Sequence, residues 1–378
     1  MEYKAIRAII SGGGTGGHIF PAISIADSLM KANPKNRILF VGAEGRMEMD
    51  KVPATGYEIV GLKISGLDRK LNLKNAVNAA KLPFKVADSV REAGRVIRDF
   101  RPDIVIGVGG YASAPLLWKA QNMGIPTLIQ EQNGFAGLTN KILSRRADRI
   151  CVAYEGMDKF FPKDKIIITG NPIRPGIIPA TPEMKAEGLR FYNLDPKKKH
   201  MLVIGGSLGS GTLNSAMRSW IENGCPGGED VEVLWQCGKY YKAATDLFMA
   251  GHLECDNVRH FDFITRMDLA YATADVVISR SGASSISELC AAHKAAIFVP
   301  SPNVAEDHQT HNAMALVNKG AGLMVKDSDA VQELLPVAME LIHDSGRIKA
   351  LEDNAGAMAK TSAADTIADE AYKLLGNV

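Results

Sequence analysis

The sequence predicts an α/β protein with two Rossmann-like domains, each built on a parallel sheet. Three observations predict this fold. Short β-branched runs alternate with helical stretches along most of the chain. Each half contains a glycine-rich loop directly after an apolar run, at residues 12–17 and 205–211. A proline-rich segment, residues 170–179, separates the two halves in the manner of a linker.

The alternating pattern predicts nine strands, and these divide between the two halves. The predicted strands are Ile6–Ile10, Arg37–Val41, Asp103–Val108, Thr127–Gln130, Arg149–Val152, Met201–Ile204, Val231–Gln236, Val276–Ser279 and Ala296–Pro300. We expect an N-terminal domain at 1–170, a linker at 171–199 and a C-terminal domain at 200–360. A final helix at 361–378 is expected to pack back on the N-terminal domain.

The first glycine loop, Gly12–Gly17, has the composition of a phosphate-binding turn and is followed at once by His18. Glycines let several backbone N–H groups approach an anion, and the helix N-terminus behind them adds partial positive charge. That positive end disfavours an imidazolium, so a neutral His18 could take a proton from an attacking hydroxyl. The alternative role for His18 is to cap the helix or to bind a phosphate.

The spacing Gly12-x-Gly14-x-x-Gly17 also matches the dinucleotide fingerprint of NAD- or FAD-binding oxidoreductases, and Glu44 follows the second strand as that class requires. Two further strand, glycine and helix units occur at 107–115 and 279–288. If the carboxyl edges of the two sheets face one another, all four loops line one cleft. Two such halves suit a sugar-nucleotide donor and a separate acceptor better than a dehydrogenase.

Composition excludes several classes of protein. The chain has 378 residues, 46% hydrophobic and 23% charged, and a net charge of +2, which excludes a strongly basic nucleic-acid binder. Its five scattered cysteines fit neither a disulfide framework nor a zinc site, so we expect a reducing compartment. His308 and His311 lack the H-E-x-x-H spacing, and no metal site is expected. No apolar run reaches the ~20 residues that span a bilayer.

Seven short motifs occur in order along the chain. They are Gly13–Ala22, Ile64–Leu67, Gly109–Tyr111, Glu131–Lys141, Gly170–Arg174, Gly205–Ser207 and Arg280–Ala283. Together they resemble the MurG family, the bacterial UDP-N-acetylglucosamine:N-acetylmuramyl-(pentapeptide) pyrophosphoryl-undecaprenol N-acetylglucosamine transferases. The resemblance implies the GT-B fold and inverting transfer of N-acetylglucosamine from UDP-GlcNAc to lipid I, giving lipid II in peptidoglycan synthesis. It implies no required cofactor, although a divalent ion could assist. The chain departs from the family at 208, where Leu replaces Gln.

The resemblance also implies roles for individual residues. The catalytic base is His18, and the acceptor-side candidates are Gly109, Gly110, Tyr111, Glu131 and Asn140. The implied UDP-GlcNAc contacts are Thr15, Gly16, Gly17, Asn133, Arg174, Ser207, Ile264, Ala283, Ser284, Ser285, Ile286, Ser287, Glu288 and Gln309. Four of the named residues have structural alternatives: a domain clamp for Arg174, a turn-stabilising role for Glu131, and a capping box that pairs Ser285 with Glu288.

A lipid-linked acceptor requires the enzyme to approach a membrane. The stretch 69–85 interleaves five basic residues with Leu, Val and Phe and contains no acid. It predicts reversible attachment to an anionic surface, although an ordinary surface helix fits the pattern as well. We therefore expect a peripheral protein at the cytoplasmic face of the bacterial membrane, with other cell-wall synthesis proteins as further candidate partners. A UDP-sugar epimerase of the same fold remains the nearest alternative function.

Overall fold

The computed structural model describes residues 3–64, 73–174, 176–206, 208–304 and 307–376, without side chains for 73–85. The chain forms two units. Unit 1 comprises Met1–Arg174 and Thr361–Val378, and unit 2 comprises Pro175–Lys360. The segment expected to be a linker is therefore divided, with 171–174 in unit 1 and the remainder in unit 2.

The described residues of unit 1 form a parallel sheet of seven strands. The strands are β1 (Arg7–Ser11), β2 (Arg37–Ala43), β3 (Glu58–Leu62), β4 (Ile104–Gly107), β5 (Thr127–Glu131), β6 (Arg149–Val152) and β7 (Ile166–Ile168). Their order in the sheet is β3-β2-β1-β4-β5-β6-β7. The order reverses between β1 and β4, which pair directly from Ala8 opposite Ile104 to Ser11 opposite Gly107. Ligands of open α/β sheets bind beyond the carboxyl ends of the strands at such a reversal.

Five helices connect these strands. They are α1 (Gly16–Ala32), α2 (Glu48–Lys51), α3 (Leu73–Phe100), α4 (Ser113–Asn122) and α5 (Leu138–Ser144). The central strands are apolar because helices cover both faces of the sheet, and β1 is buried from Ala8 to Ser11. The buried face of α1 includes Ile19, Ile25 and Leu29, so this helix is fixed to the sheet directly behind the first glycine loop.

Unit 2 repeats the architecture with six parallel strands in its described residues. The strands are β8 (Lys199–Ile204), β9 (Val231–Gln236), β10 (Val258–Phe261), β11 (Val276–Ser279), β12 (Ala296–Phe298) and β13 (Leu323–Met324). The order is β10-β9-β8-β11-β12-β13, with the reversal between β8 and β11. The predicted α/β class with two parallel sheets is confirmed.

The helices of unit 2 are α6 (Pro182–Phe191), α7 (Gly211–Glu222), α8 (Lys242–Ala250), α9 (Met267–Thr273), α10 (Ala283–Ala291), α11 (His308–Val317), α12 (Ala330–Ile342) and α13 (Ser345–Ala357). Helix α6 lies inside the segment expected to be a linker. A Cβ atom on Gly188 would come within 2.6 Å of the Thr273 Cγ2 atom, so α6 packs closely on α9. This part of the segment is a structural element of unit 2.

The last helix, α14 (Ala363–Leu374), belongs to unit 1. Its Ile367 and Tyr372 are completely buried in the core that contains β1 and α1. The Tyr372 ring stacks on Tyr3 with 4.1 Å between centroids, and its hydroxyl accepts a hydrogen bond of 2.7 Å from the Asn36 side chain. Helix α14 thus completes the core that contains β1.

Four strands were not among the nine predicted, and they are the four sheet edges: β3 and β7 in unit 1, β10 and β13 in unit 2. Each is short and half-exposed along much of its length. Edge strands lack a neighbour on one side, so their sequences do not show the continuous apolar run of a central strand. The pattern therefore identified only the interior of each sheet.

Candidate functional site

The first glycine loop connects β1 to α1 at the carboxyl edge of the sheet. Gly14 has a φ of +87°, a conformation that glycine adopts without strain. Helix α1 begins at Gly16 with Thr15 as its N-cap, and the Thr15 side chain makes no capping hydrogen bond. The first turn of α1 is therefore a helix N-terminus that its own N-cap side chain does not satisfy, which suits an anionic ligand.

His18 is the third residue of α1 and is half-buried. Its Nδ1 atom lies 3.1 Å from the Gly13 carbonyl oxygen and 3.3 Å from the Thr15 hydroxyl. A carbonyl oxygen can only accept a hydrogen bond, so Nδ1 carries the hydrogen of the neutral ring. The lone pair is then on Nε2, which is the nitrogen able to accept a proton.

The loop after β4 lies against the His18 loop because β1 and β4 are neighbours. Gly109 and Gly110 have φ angles of +93° and +80°. A Cβ atom on Gly109 would lie 3.1 Å from His18 Nε2, and one on Gly110 would lie 2.6 Å from the Gly13 carbonyl oxygen. The fold thus brings the predicted acceptor-side residues Gly109 and Gly110 together with His18, and a side chain at Gly110 would clash with the Gly13 carbonyl.

Tyr111 completes this group. Its ring lies 3.5 Å from the position that a Cβ atom of Gly14 would occupy. The Ser113 hydroxyl donates to the Gly110 carbonyl at 2.9 Å, which fixes the turn that leads into α4. Two loops with adjacent glycines therefore meet beside one histidine.

Glu131, at the end of β5, stabilises a turn. It is 2% exposed. One of its oxygens accepts from the backbone and side-chain nitrogens of Asn133 at 3.1 and 3.3 Å, and the other accepts from the Gly137 N–H and Asn140 amide at 3.1 and 2.9 Å. These four bonds favour the turn-stabilising alternative over a role in proton transfer. They also hold the predicted site residues Asn133 and Asn140 in one loop.

Glu48, which was missed from the sequence, contacts the first glycine loop. Its side chain is completely buried, and its two oxygens accept hydrogen bonds from the Gly14 and Ala43 N–H groups at 3.0 and 3.1 Å. Glu44, the acid that kept the dinucleotide alternative open, is exposed. A Cβ atom on Gly13 would come within 2.2 Å of the Glu48 carboxylate. The sequence signal for this contact was Gly13, a loop glycine that leaves room for the buried acid.

The second glycine loop connects β8 to α7, and the predicted donor contact Ser207 lies outside the described residues. Gly209 has a φ of +85°, and a Cβ atom there would lie 2.2 Å from the Cys237 carbonyl oxygen. Unlike Thr15, the N-cap Ser210 does cap its helix: its hydroxyl accepts from the Leu213 N–H at 3.3 Å. The N-terminus of α7 is therefore capped by a side chain of the loop itself.

Gln236, at the end of β9, was also missed. Its amide donates to the Gly206 carbonyl at 2.8 Å, and its carbonyl oxygen accepts from the Ile264 N–H at 3.4 Å. Ile264 is 2% exposed, and its backbone is the predicted contact to uracil. Gln236 therefore links the second glycine loop to the Ile264 segment.

Helix α10, like α1, has an N-terminus that no N-cap side chain satisfies. It begins at Ala283 with Gly282 as N-cap, and no side chain caps it. Ser285 is thus the third residue of the helix, so the capping box of Ser285 with Glu288 does not form. The Ser284 hydroxyl is buried and has no hydrogen-bond partner in the described part of the chain. A buried hydroxyl without a partner carries a free-energy cost that a ligand can relieve.

Three other predicted residues of α10, namely Ile286, Ser287 and Glu288, make contacts within unit 2. Ile286 is buried in it, and the Ser287 hydroxyl donates to the Ala283 carbonyl at 2.9 Å. Glu288 is 3% exposed and accepts a hydrogen bond of 3.2 Å from the Tyr271 hydroxyl. The carboxylate of Glu288 is held in place by Tyr271 on α9.

Gln309, on α11, lies beside the segment that begins α10. Its side-chain oxygen accepts from the Ser301 N–H at 2.9 Å, and its backbone carbonyl accepts from the Ser281 hydroxyl at 2.9 Å. In unit 1, Arg174 lies over the Phe20 ring of α1, with its Cζ atom 5.2 Å from the ring centroid. The contacts given for Gln309 thus lie within unit 2, and the contact given for Arg174 lies within unit 1.

The described residues show neither a metal-binding cluster nor a membrane-spanning helix. They contain no group of three His, Cys, Asp or Glu side chains arranged to hold a metal ion. None of their helices is long and apolar enough to cross a bilayer. The basic stretch 69–85 lies outside the residues whose side chains are described, and so does the motif Ile64–Leu67 beyond its first residue.

Comparisons with known proteins identify the family. The profile of the glycosyltransferase family 28 N-terminal domain matches residues 8–152, and that of the C-terminal domain matches residues 200–368. A Parabacteroides distasonis protein named UDP-N-acetylglucosamine–N-acetylmuramyl-(pentapeptide) pyrophosphoryl-undecaprenol N-acetylglucosamine transferase is 53% identical over 372 residues, which cover 98% of this chain and 99% of that one. A Porphyromonas gingivalis protein of the same name is 52% identical and covered to 96%.

Solved structures agree. The crystal structure of Acinetobacter baumannii MurG is 28% identical, with a TM-score of 0.75 over 97% of this chain and 99% of that one. A UDP-N-acetylglucosamine 2-epimerase superposes with a TM-score of 0.64, but at 14% identity it shows the fold alone. The family profiles, the relatives and the solved structure of MurG therefore indicate the same family and the same fold. The chain is a glycosyltransferase with the GT-B fold that belongs to family 28 and, within it, to the MurG transferases.

Proposed function

We propose that this enzyme moves N-acetylglucosamine from UDP-GlcNAc to the muramyl C4 hydroxyl of lipid I, forming the β-1,4 linkage of lipid II in peptidoglycan synthesis. One observation carries the proposal: relatives named for this reaction are 53% and 52% identical over nearly their full length. The epimerase alternative has only a fold-level likeness at 14% identity.

His18 is the proposed general base on the acceptor side. The C4 hydroxyl oxygen attacks the anomeric carbon, its proton passes to His18 Nε2, and the bond from the sugar to the β-phosphate breaks with its electron pair leaving on UDP. The Gly13 carbonyl supports this role because it holds the hydrogen on Nδ1. A positioned base contributes about 10²–10⁴ in rate.

Unit 2 supplies the proposed donor contacts. The developing charge on UDP needs hydrogen-bond donors in fixed positions, and the start of α10 offers backbone N–H groups with the positive end of a helix dipole. The Ser284 hydroxyl, buried and without a partner in the described chain, supports a phosphate contact there. We propose that these groups carry the pyrophosphate charge without a required cofactor, and that Glu288 binds the ribose.

Attachment to a membrane is a separate part of the proposal, because lipid I is anchored in a bilayer. The support is the basic stretch 69–85, and the proposed site is the cytoplasmic face of the bacterial membrane. Several Lys or Arg side chains at ~1 kcal/mol each give reversible binding to anionic lipid. Co-sedimentation with anionic liposomes should fall for a variant with Glu at Lys70, Lys74, Lys81 and Lys85. Undiminished binding would exclude this stretch.

The reaction itself is tested by UDP release. Purified enzyme with UDP-GlcNAc should release UDP rapidly when lipid I is added and only slowly in water alone. An epimerase would convert the UDP-sugar without lipid I, and equal rates with and without the acceptor would refute the transferase proposal.

A further inference from the structure

We propose that Glu48 is a positioning residue that acts on His18 through a single peptide group. The inference rests on the proposed role of His18 as the base. Glu48 lies 30 residues from His18 in the sequence and on a different element, the short helix α2 after β2. No motif of the sequence includes it.

The peptide group between Gly13 and Gly14 connects the two side chains. At one end, the Gly14 N–H donates to the Glu48 carboxylate at 3.0 Å. At the other end, the Gly13 carbonyl oxygen accepts from His18 Nδ1 at 3.1 Å. Because both atoms belong to one planar group, fixing the N–H also fixes the direction of the C=O. Glu48 therefore sets the acceptor that selects the tautomer of His18.

The carboxylate is itself fixed. Glu48 is fully buried, and its second oxygen accepts from the Ala43 N–H at 3.1 Å at the end of β2. Gly13 and Gly42 leave the space that the side chain occupies, since Cβ atoms on them would come within 2.2 and 2.6 Å of Glu48 atoms. On its other side, Gly110 approaches the Gly13 carbonyl so closely that a Cβ atom would lie 2.6 Å away. The peptide is held from both sides.

The arrangement has an electronic consequence. A negative acceptor at the N–H end polarises the peptide and strengthens the hydrogen bond that its carbonyl accepts. That bond also stabilises the imidazolium formed when His18 takes the proton from the acceptor hydroxyl. An acid joined to a histidine directly does the same work in hydrolase triads. Here a backbone peptide lies between them.

Neighbouring elements carry further charged or titratable groups. In the described chain, the Tyr111 ring lies 3.5 Å from the Cβ position of Gly14, Asp50 and Lys51 on α2 are exposed, Glu131 ends β5, and Arg174 follows β7. Both oxygens of Glu131 are already bonded within its own turn, and Arg174 lies over the ring of Phe20. Glu48 is the carboxylate that the hydrogen bonds connect to His18.

The test compares Glu48→Gln with Glu44→Gln, which removes the same charge from an exposed position nearby. For Glu48→Gln we expect kcat with lipid I to fall about tenfold or more, while KM for UDP-GlcNAc stays unchanged. The acidic limb of the pH profile should move to lower pH by about half a unit to one unit, because the imidazolium loses a stabilising negative charge. Glu44→Gln should match the wild type in all three measurements.

Nuclear magnetic resonance of the His18 ring, assigned by comparison with His18→Asn, separates this proposal from the proposed reaction. The wild-type neutral ring should carry its hydrogen on Nδ1, and Glu48→Gln should lower the ring's titration midpoint by the same amount. An Nε2–H tautomer in the wild type overturns the inference even if no variant folds. So does a Glu48→Gln protein that loses stability but keeps the wild-type pH profile. If the ring responds but His18→Asn remains active, the coupling stands and the base assignment fails.

Discussion

The two glycine loops occupy equivalent places in their units, yet they differ at two positions. In the first loop the N-cap Thr15 makes no capping bond and the third helical residue is His18, half-buried beside the loop. In the second, Ser210 caps the helix and the third helical residue is Leu213, 1% exposed in the core. The same order of strand, glycine loop and helix thus presents a titratable histidine ring in unit 1. In unit 2 a serine of the loop caps the helix instead.

The glycines therefore determine the geometry of the turn but not the role of the loop. The role depends on the residues that follow and on the groups that hold the backbone. In unit 1 the carboxylate of Glu48 accepts from the first loop, whereas in unit 2 the amide of Gln236 donates to the second. The N-terminus that we propose for phosphate in unit 2 is at α10, where Gly282 provides no side-chain cap.

The largest expected effect comes from removing the residue that distinguishes the first loop. His18→Asn should lower kcat with lipid I by about 10²–10⁴ and remove the acidic limb of the pH profile, because no base remains. Steady-state kinetics over a range of pH measures both. His343→Asn, at the C-terminal end of α12 in unit 2, is the control and should keep the wild-type kcat and pH profile. Near-normal turnover of His18→Asn with an unchanged pH profile would refute the role of His18 as the base, and with it the proposed chemical difference between the two loops.

A smaller effect is expected from displacing the backbone that holds the His18 ring. Gly110→Ala places a Cβ atom 2.6 Å from the Gly13 carbonyl oxygen, so kcat should fall by about tenfold or more as His18 loses its partner. Gly45→Ala is the control, since Gly45 also has a positive φ but has no atom within 4 Å of the added Cβ. The control should lose only about 1–2 kcal/mol of unfolding free energy to backbone strain. Equal kcat for the two variants would contradict the proposed contact.

Ser284→Ala tests the α10 N-terminus of unit 2. Loss of one hydrogen bond to a charged phosphate should raise KM for UDP-GlcNAc by about tenfold or more. The same change removes a buried hydroxyl that has no partner in the described chain, so the melting temperature should be unchanged or higher. Ser328→Ala, an exposed serine of the same unit, controls for the substitution. A drop in melting temperature with an unchanged KM would assign Ser284 a structural role.

The smallest expected effect distinguishes the two N-caps directly. Ser210→Ala removes a capping bond and should cost about 0.5–2 kcal/mol of unfolding free energy. Thr15→Ala removes no capping bond and should change that free energy by no more than about 0.5 kcal/mol. Denaturant titration of both variants gives the comparison. Equal losses would mean that Thr15 caps its helix in solution.

The sequence was sufficient for the central strands, both glycine loops and the family, because each depends on a local pattern. The four edge strands were missed because half-exposed strands lack a continuous apolar run. Glu48 and Gln236 were missed for a different reason: each acts on a loop far away in the sequence, and only the pairing of β1 with β2 or β8 with β9 brings them together. Contacts of this kind follow from sheet topology and not from local spacing.

The most direct test of the central claim is the structure of the product. Purified enzyme with UDP-GlcNAc and lipid I should yield a lipid-linked disaccharide, one N-acetylglucosamine heavier than lipid I, whose new glycosidic bond is β-1,4 by nuclear magnetic resonance. UDP should be released in equal amount. An α-linked product, or an epimerised UDP-sugar formed without lipid I, would contradict the proposed inverting transfer.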